Sequence, residues 1–357
     1  HNETLPSLVL SAEERKDIME MLKSVYLKQK ENPYHSLGKR ILRGAGVGIE
    51  DSRLLQIIIN VGEWDKDENL DLIRFGISVD FPDDVKESAE KLVKDAYYSN
   101  AETTYGTKRV NLTDLPLITI DGQATLDYDD ALSIEKSNDH YRLGIHISDV
   151  GHFIKKDSPI DQEAVHRASS IYMPDRKIPM IPPGLAEGLC SLRAGELRPA
   201  ISTFVQIGSY GNIGDVEVVP SLITVQRQLS YYDVNTVTEE DEEIRILYDI
   251  AKQFRQKRLA QGALQITLPE INIWVDQEGN PAVSKINRES PGRMLVAELM
   301  IMANWLMARF LADRQVPAIF RSQPEPRGRL FKNDEGTLYQ NWAQRKLLNR
   351  FSLGHAL

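Results

Sequence analysis

Four aspartates fall within ten positions, Asp121-Gly-Gln-Ala-Thr-Leu-Asp127-Tyr-Asp129-Asp130. The run is entered by Leu117-Ile-Thr-Ile120 and left by Ala131-Leu-Ser-Ile134, both apolar and β-branched enough to read as strands. A strand, a Gly-containing turn and a second strand bring the four carboxylates to one end of a sheet. Carboxylates that close repel one another, and they stay ionised only if cations sit among them. Hard divalent ions prefer oxygen ligands, and two of them ~3.5–4 Å apart serve displacement at phosphorus. The pattern therefore points to Mg²⁺, with Mn²⁺ as the other candidate, and to phosphodiester chemistry.

An acidic run is more often a solvated turn, but here apolar strands flank it. An extended Asp127-Tyr-Asp129 sets both acids on one face and Asp130 on the other. An EF-hand loop needs Gly at its sixth position and Glu at its twelfth, and counted from Asp127 those are Leu132 and Asn138. A phosphatase of the haloacid dehalogenase type wants Thr or Val where Ala131 stands. A glycosyltransferase Asp-x-Asp, here Asp127-Tyr-Asp129, stays open on the motif alone.

The elements around the cluster change in texture along the chain. Ser11 to about Lys30 reads as a helix started by Ser11 and Glu13-Glu14, with Ile18, Met21, Leu22, Val25 and Tyr26 on one face. Gly44-Ala-Gly-Val-Gly48 breaks the chain. A helix from Glu50 to about Val61 turns Leu54, Leu55, Ile58 and Ile59 inward, and another follows Pro82 to about Tyr98 with Val85, Leu92 and Val93 inside. Residues 1–105 are thus expected to be a helical segment, with a helix-turn-helix-like module as one form of it. Residues 106–357 are expected to form an α+β domain with strands at Leu117–Ile120, Tyr141–Ile147, Ile201–Tyr210 and Ile223–Val225. Helices follow at about Glu239–Gln261 and Pro291–Arg314, the latter apolar over most of its girth and so a central buried helix.

The 357 residues suffice for two domains, and 41% apolar with 27% charged is ordinary for a globular protein. No run is read as approaching the ~20 apolar residues of a membrane span, so no membrane partner is expected. The start, His1-Asn-Glu-Thr, lacks the basic and apolar parts of a signal peptide, and without Met it reads as a fragment whose origin lies upstream. The single Cys190 excludes an internal disulfide or a multi-cysteine zinc site and fits a buried position in a reducing, cytoplasmic protein. A net charge of −9 argues against a broad nucleic-acid surface but not against a narrow basic channel leading to a metal site. His146 and His152 are spaced for neither zinc nor a triad and read as structural. Lys252, Arg255, Lys257 and Arg258 read as a solvated helix face.

The segment Arg109–Ala131, with its acidic run, resembles the signature of the RNB catalytic domain of the ribonuclease II and ribonuclease R family. Five further blocks follow in the same order: Gly144–Phe153, Ser170–Pro182, Leu189–Pro199, Leu295–Asn304 and Ile319–Ser322. The resemblance covers about residues 80 to 350. It implies a 3′→5′ exoribonuclease that hydrolyses single-stranded RNA to nucleoside 5′-monophosphates. It also implies that Asp121 and Asp130 hold one Mg²⁺ and that Asp127 and Asp129 hold or orient a second. Asp129 would be the residue whose loss abolishes cleavage and spares RNA binding. Tyr172 would stack on the last base, Glu298 would line the site, and Arg193 and Arg198 are candidates to grip phosphates.

The expected partners are RNA and an RNA-degradation complex, and a monomer is expected. The chain stops at Phe351-Ser-Leu-Gly-His-Ala-Leu357, before the family's Ser-Pro-Ile-Arg-Arg block. Cold-shock and S1 barrels are not recognisable. A non-catalytic RNA-binding relative or an inactive truncated fragment is therefore the alternative, and a metal-dependent glycosyltransferase comes after it.

Overall fold

The computed structural model describes residues 11–28, 32–44, 46, 52–98, 103–104, 107–137, 139–237, 239–276, 278–332 and 336–355. Lys30, Glu50, Leu357 and most of the glycine-rich break expected at 44–48 lie outside them. The chain forms two compact units, His1–Phe81 and Pro82–Leu357. The sequence grouped the helix after Pro82 with the first unit; the structure places it in the second.

In the first unit, helix α1 (Ala12–Lys28) begins as its residues suggest, with Ser11 and Glu14 exchanging backbone hydrogen bonds at 2.9 and 3.2 Å. Helices α2 (His35–Gly44), α3 (Ser52–Asn60) and α4 (Leu70–Phe75) follow. Met19, Leu22, Val25, Leu42, Leu54, Ile58 and Trp64 make the core, drawn from helical positions three and four apart.

The second unit opens with α5 (Asp83–Tyr98), in which Val85 and Ala89 are buried while Val93, expected inside, is exposed. A six-stranded sheet is then built from β1 (Val110–Asn111), β2 (Leu117–Asp121), β3 (Asp130–Lys136), β4 (Tyr141–Ser148), β7 (Leu197–Ile207) and β8 (Ile213–Ser230). A separate hairpin, β5 (Ile171–Tyr172) and β6 (Lys177–Ile178), lies between β4 and β7 in the sequence. The long β8 closes the sheet on itself: its first part pairs antiparallel with β7, and its end runs parallel to β2. The sequence shows only Ile223–Val225 of this strand, because Gly214, Asp215, Glu217, Pro220, Gln226 and Arg227 interrupt its apolar pattern.

Strand β2 is buried on both faces, so it reads as a continuous apolar run. Ile118 and Ile120 join one core with the helices α6 (Tyr231–Val237), α7 (Glu242–Ala260) and α8 (Pro291–Asp313), and Leu117 joins a second core with Ala131, Leu192, Ala200, Ile223 and Val225. By length and composition α8 could cross a membrane, contrary to the sequence reading. It is instead a core helix, with Met294, Leu295, Leu299, Met302 and Leu306 buried. Its burial is one-sided toward the C-terminal end, where Ile301 and Trp305 are exposed, so it is less enclosed than its apolar girth suggests.

Candidate active site

The acidic run occupies the turn between β2 and β3. Asp121 ends β2 and Asp130 begins β3, and the antiparallel pairing of Ile118 with Leu132 sets the two side by side at one sheet end. The intervening loop is pinned from outside. The Ser191 hydroxyl accepts from the Tyr128 amide at 3.0 Å and donates to the Leu126 carbonyl at 2.9 Å. The amides of Leu192 and Ser148 donate to the carbonyls of Tyr128 and Asp129, both at 2.9 Å.

The four carboxylates do not share one environment. Oδ2 of Asp121 and Oδ2 of Asp130 are buried without a hydrogen-bond partner. Burial, followed by the charges of Asp130, Asp129 and Asp127, pushes the Asp121 carboxyl up to about 7. Burial and then Asp129 push Asp130 up to about 6. Asp129 reaches solvent, yet the protein around it and then the charge of Asp127 raise its carboxyl, against the pull of Lys177. Asp127 is already paired: its Oδ2 accepts from Lys177 Nζ at 2.7 Å.

Orphaned, mutually repelling carboxylate oxygens are a poor structural device and a good hard-cation site. The donor chemistry at Asp121 and Asp130 fits Mg²⁺ or Mn²⁺. Among the described residues no three His, Cys, Asp or Glu side chains yet converge to chelate an ion as they stand. The two orphaned oxygens would therefore share an ion with water or substrate.

Tyr172 lies on the β5–β6 hairpin, 72% exposed, with Lys177 Nζ 5.6 Å from its ring centre. An aromatic face this open is available for stacking. Sequence reasoning missed Tyr231 and Arg293. The Tyr231 hydroxyl is raised by burial and then by Asp121, and the Arg293 guanidinium lies 4.4 Å from its ring centre, so both belong to the surroundings of the cluster.

Other expected residues are placed differently. Glu298 is 4% exposed, and both its oxygens accept from Arg258, at 2.7 and 2.9 Å. Its carboxylate is taken up by that pair, which makes it a structural group and not a free lining of the site. Arg258 is correspondingly no part of a solvated face; Arg255 pairs with Glu289 at 2.6 Å and Lys257 donates to Asn212 at 2.7 Å. Arg198 donates to the carbonyls of Ser191 at 2.9 Å and Gly188 at 3.1 Å and pairs with Glu196. It braces the segment that pins the acidic loop, and its guanidinium is not free for phosphate. Arg193 is half-buried and carries no ion pair among the described residues. His146, read as structural, is buried between the hydroxyls of Ser133 at 3.0 Å and Ser202 at 2.6 Å.

Comparison with known proteins agrees with this architecture. Residues 109–354 match the RNB domain, and residues 5–70 match a double HTH domain. An uncharacterized ribonuclease of Synechocystis sp. is 33% identical over 82% of this chain and 44% of its own length. Mycoplasma genitalium RNase R, solved in complex with ribose-methylated single-stranded RNA, superposes with a TM-score of 0.66 at 24% identity, covering 78% of this chain and 42% of that one. An active-site mutant of the Dss1 exoribonuclease from Candida glabrata superposes with a TM-score of 0.76 at 17% identity, covering 97% and 49%. At these identities the structural likeness speaks to the fold. The chain spans less than half the length of each of these relatives.

Proposed function

The chain belongs to the RNB domain family, and on that premise we propose that it is the catalytic part of a 3′→5′ exoribonuclease that hydrolyses single-stranded RNA to nucleoside 5′-monophosphates. The observation that carries the reading is the pair of buried, unpartnered carboxylate oxygens on Asp121 and Asp130; the exposed Tyr172 ring stands next to their neighbours Asp127 and Asp129. Mg²⁺ or Mn²⁺ held there supplies Lewis acidity and positive charge at the scissile phosphate. The chain's own residues do the positioning. The Tyr172 face stacks on the terminal base, and stacking worth ~1–3 kcal/mol per base accepts every nucleotide. Asp129, reaching solvent beside Asp127, orients water and substrate at the same end of the sheet. In this reading Arg193 and Arg293 are the guanidinium groups that meet phosphate charge. A monomer acting in the cytoplasm, alone or with an RNA-degradation complex, completes the reading.

A 5′-labelled single-stranded RNA with Mg²⁺, a matched DNA and an RNA blocked at its 3′ end test it. Stepwise shortening of the free RNA alone, with mononucleotide release, is the expected outcome. Internal cuts, or attack on the blocked RNA, would contradict exonucleolytic action from the 3′ end. A folded chain that binds RNA and divalent ions without cleaving would be the non-catalytic relative.

A further inference from the structure

Two of the four aspartates, Asp121 and Asp130, bury an oxygen without a partner, Asp129 reaches solvent, and Asp127 already has a cation beside it. Lys177 Nζ lies 2.7 Å from Asp127 Oδ2 and 3.5 Å from Glu187 Oε1, bridging the two carboxylates. This is not an ordinary surface ion pair. All three side chains are mostly covered, at 21%, 22% and 26% exposure for Lys177, Asp127 and Glu187. The lysine is also held in place by the hairpin. Lys177 is the cross-strand partner of Tyr172, and the turn between them is closed by the Met173 amide donating to the Arg176 carbonyl at 2.9 Å. One two-stranded element thus carries both the stacking ring and a positive charge aimed at the acidic loop.

We propose that the Lys177 ammonium is a built-in cation of the aspartate cluster, occupying the place beside Asp127 that a second divalent ion would take. The inference rests on the nuclease reading for the ion at Asp121 and Asp130, and goes beyond it in fixing the number of ions at one. An ammonium approaches a carboxylate oxygen at about 2.8 Å, whereas Mg²⁺ needs about 2.1 Å and displaces any cation already there. A divalent ion at Asp127 would therefore have to expel a lysine held by two carboxylates. One divalent ion and one ammonium offset most of the charge of the four aspartates, so a second ion gains little. Removing the lysine reverses this, leaving Asp127, Glu187 and the neighbouring Asp129 as oxygen donors without a counter-charge.

Counting Mn²⁺ bound per chain by electron paramagnetic resonance tests the proposal on the whole protein without relying on turnover. The wild type should hold one ion, Lys177→Met two, and Lys177→Arg one. Lys177→Gln keeps a polar contact and should also reach two, which covers a Met variant that fails to fold. Two ions in the wild type, or one ion in a folded Lys177→Met and Lys177→Gln, would overturn the proposal. If Asp130→Asn loses the single ion while the lysine variants gain none, this inference alone falls. If neither the wild type nor any variant holds Mn²⁺, the nuclease reading falls and takes this inference with it.

Discussion

Glu298 and the Asp121–Asp130 pair are acids withdrawn from water in the same unit, and the fold treats them in opposite ways. Glu298 meets a guanidinium that fills both its oxygens. Asp121 and Asp130 meet each other, each with an oxygen left without a partner. A buried charge without compensation costs free energy, so selection for stability alone would pair it or replace it. Glu298 follows that rule. The aspartate pair breaks it, and it does so at the two ends of a pinned loop. Within one protein, the satisfied acid reads as structure, and the proposed chemistry rests on the unsatisfied pair.

That contrast makes opposite predictions for the two regions. The largest effect is expected at the satisfied pair: Arg258→Met strands the Glu298 carboxylate and should cost about 3–5 kcal/mol in denaturant unfolding. Adding Glu298→Leu should recover most of that loss, since both partners are then apolar. At the unsatisfied pair the sign reverses. Asp130→Asn relieves repulsion and should raise the stability of the metal-free chain by about 1–2 kcal/mol while abolishing RNA cleavage.

The pH dependence sharpens the contrast. In the folded, metal-free chain Asp121 titrates near 7 and Asp130 near 6, against about 4 for an unfolded carboxyl. The folded state then holds the extra protons, so their contribution to stability is lost as pH rises from about 4 to 7. His146 works the other way. Burial and then Arg142 push its imidazole down to about 3, so the folded state holds fewer protons and stability rises from about pH 3 to 6.5. Above about pH 6.5 the gain from His146 is nearly complete, while the loss at Asp121 continues through about pH 7. The melting temperature of the metal-free chain should therefore decline from there to about pH 8, and Asp121→Asn should flatten the decline. The smallest effect is expected at Arg198→Ala, about 1 kcal/mol from hydrogen bonds to the loop-pinning segment. Its mark would be a lower cleavage rate with stacking at Tyr172 intact.

How much of this was legible in the sequence follows from the range of each interaction. The cluster itself is local: two short strands and a Gly-containing turn place Asp121 beside Asp130, and apolar periodicity gives Leu117–Asp121, α1 and α8. Strand β8 is mostly hidden, because it is stabilised by two neighbours and not by its own alternation. The hairpin Glu270–Val275 with Pro281–Ile286 carries apolar residues, Ile271, Ile273, Trp274 and Val283 among them, but they are exposed and join no core, and the sequence reading passed over it. The side-chain pairings were out of reach for the same reason. Lys177 is 50 residues from Asp127, and Arg258 is 40 from Glu298. Nothing local distinguishes those basic residues from solvated ones. Ser191 likewise acts on a loop more than 60 positions away, its hydroxyl meeting backbone groups that carry no residue signature, and Arg198 acts on that loop only through the Ser191 carbonyl.

The central claim is that the unsatisfied pair is a divalent-ion site. The most direct test is the melting temperature at about pH 8 with and without millimolar Mg²⁺, for the wild type and for Asp121→Asn and Asp130→Asn. Mg²⁺ should raise the wild type by several degrees and leave both variants nearly unmoved. Equal shifts in all three, or none in the wild type, would show that these oxygens are not waiting for a metal.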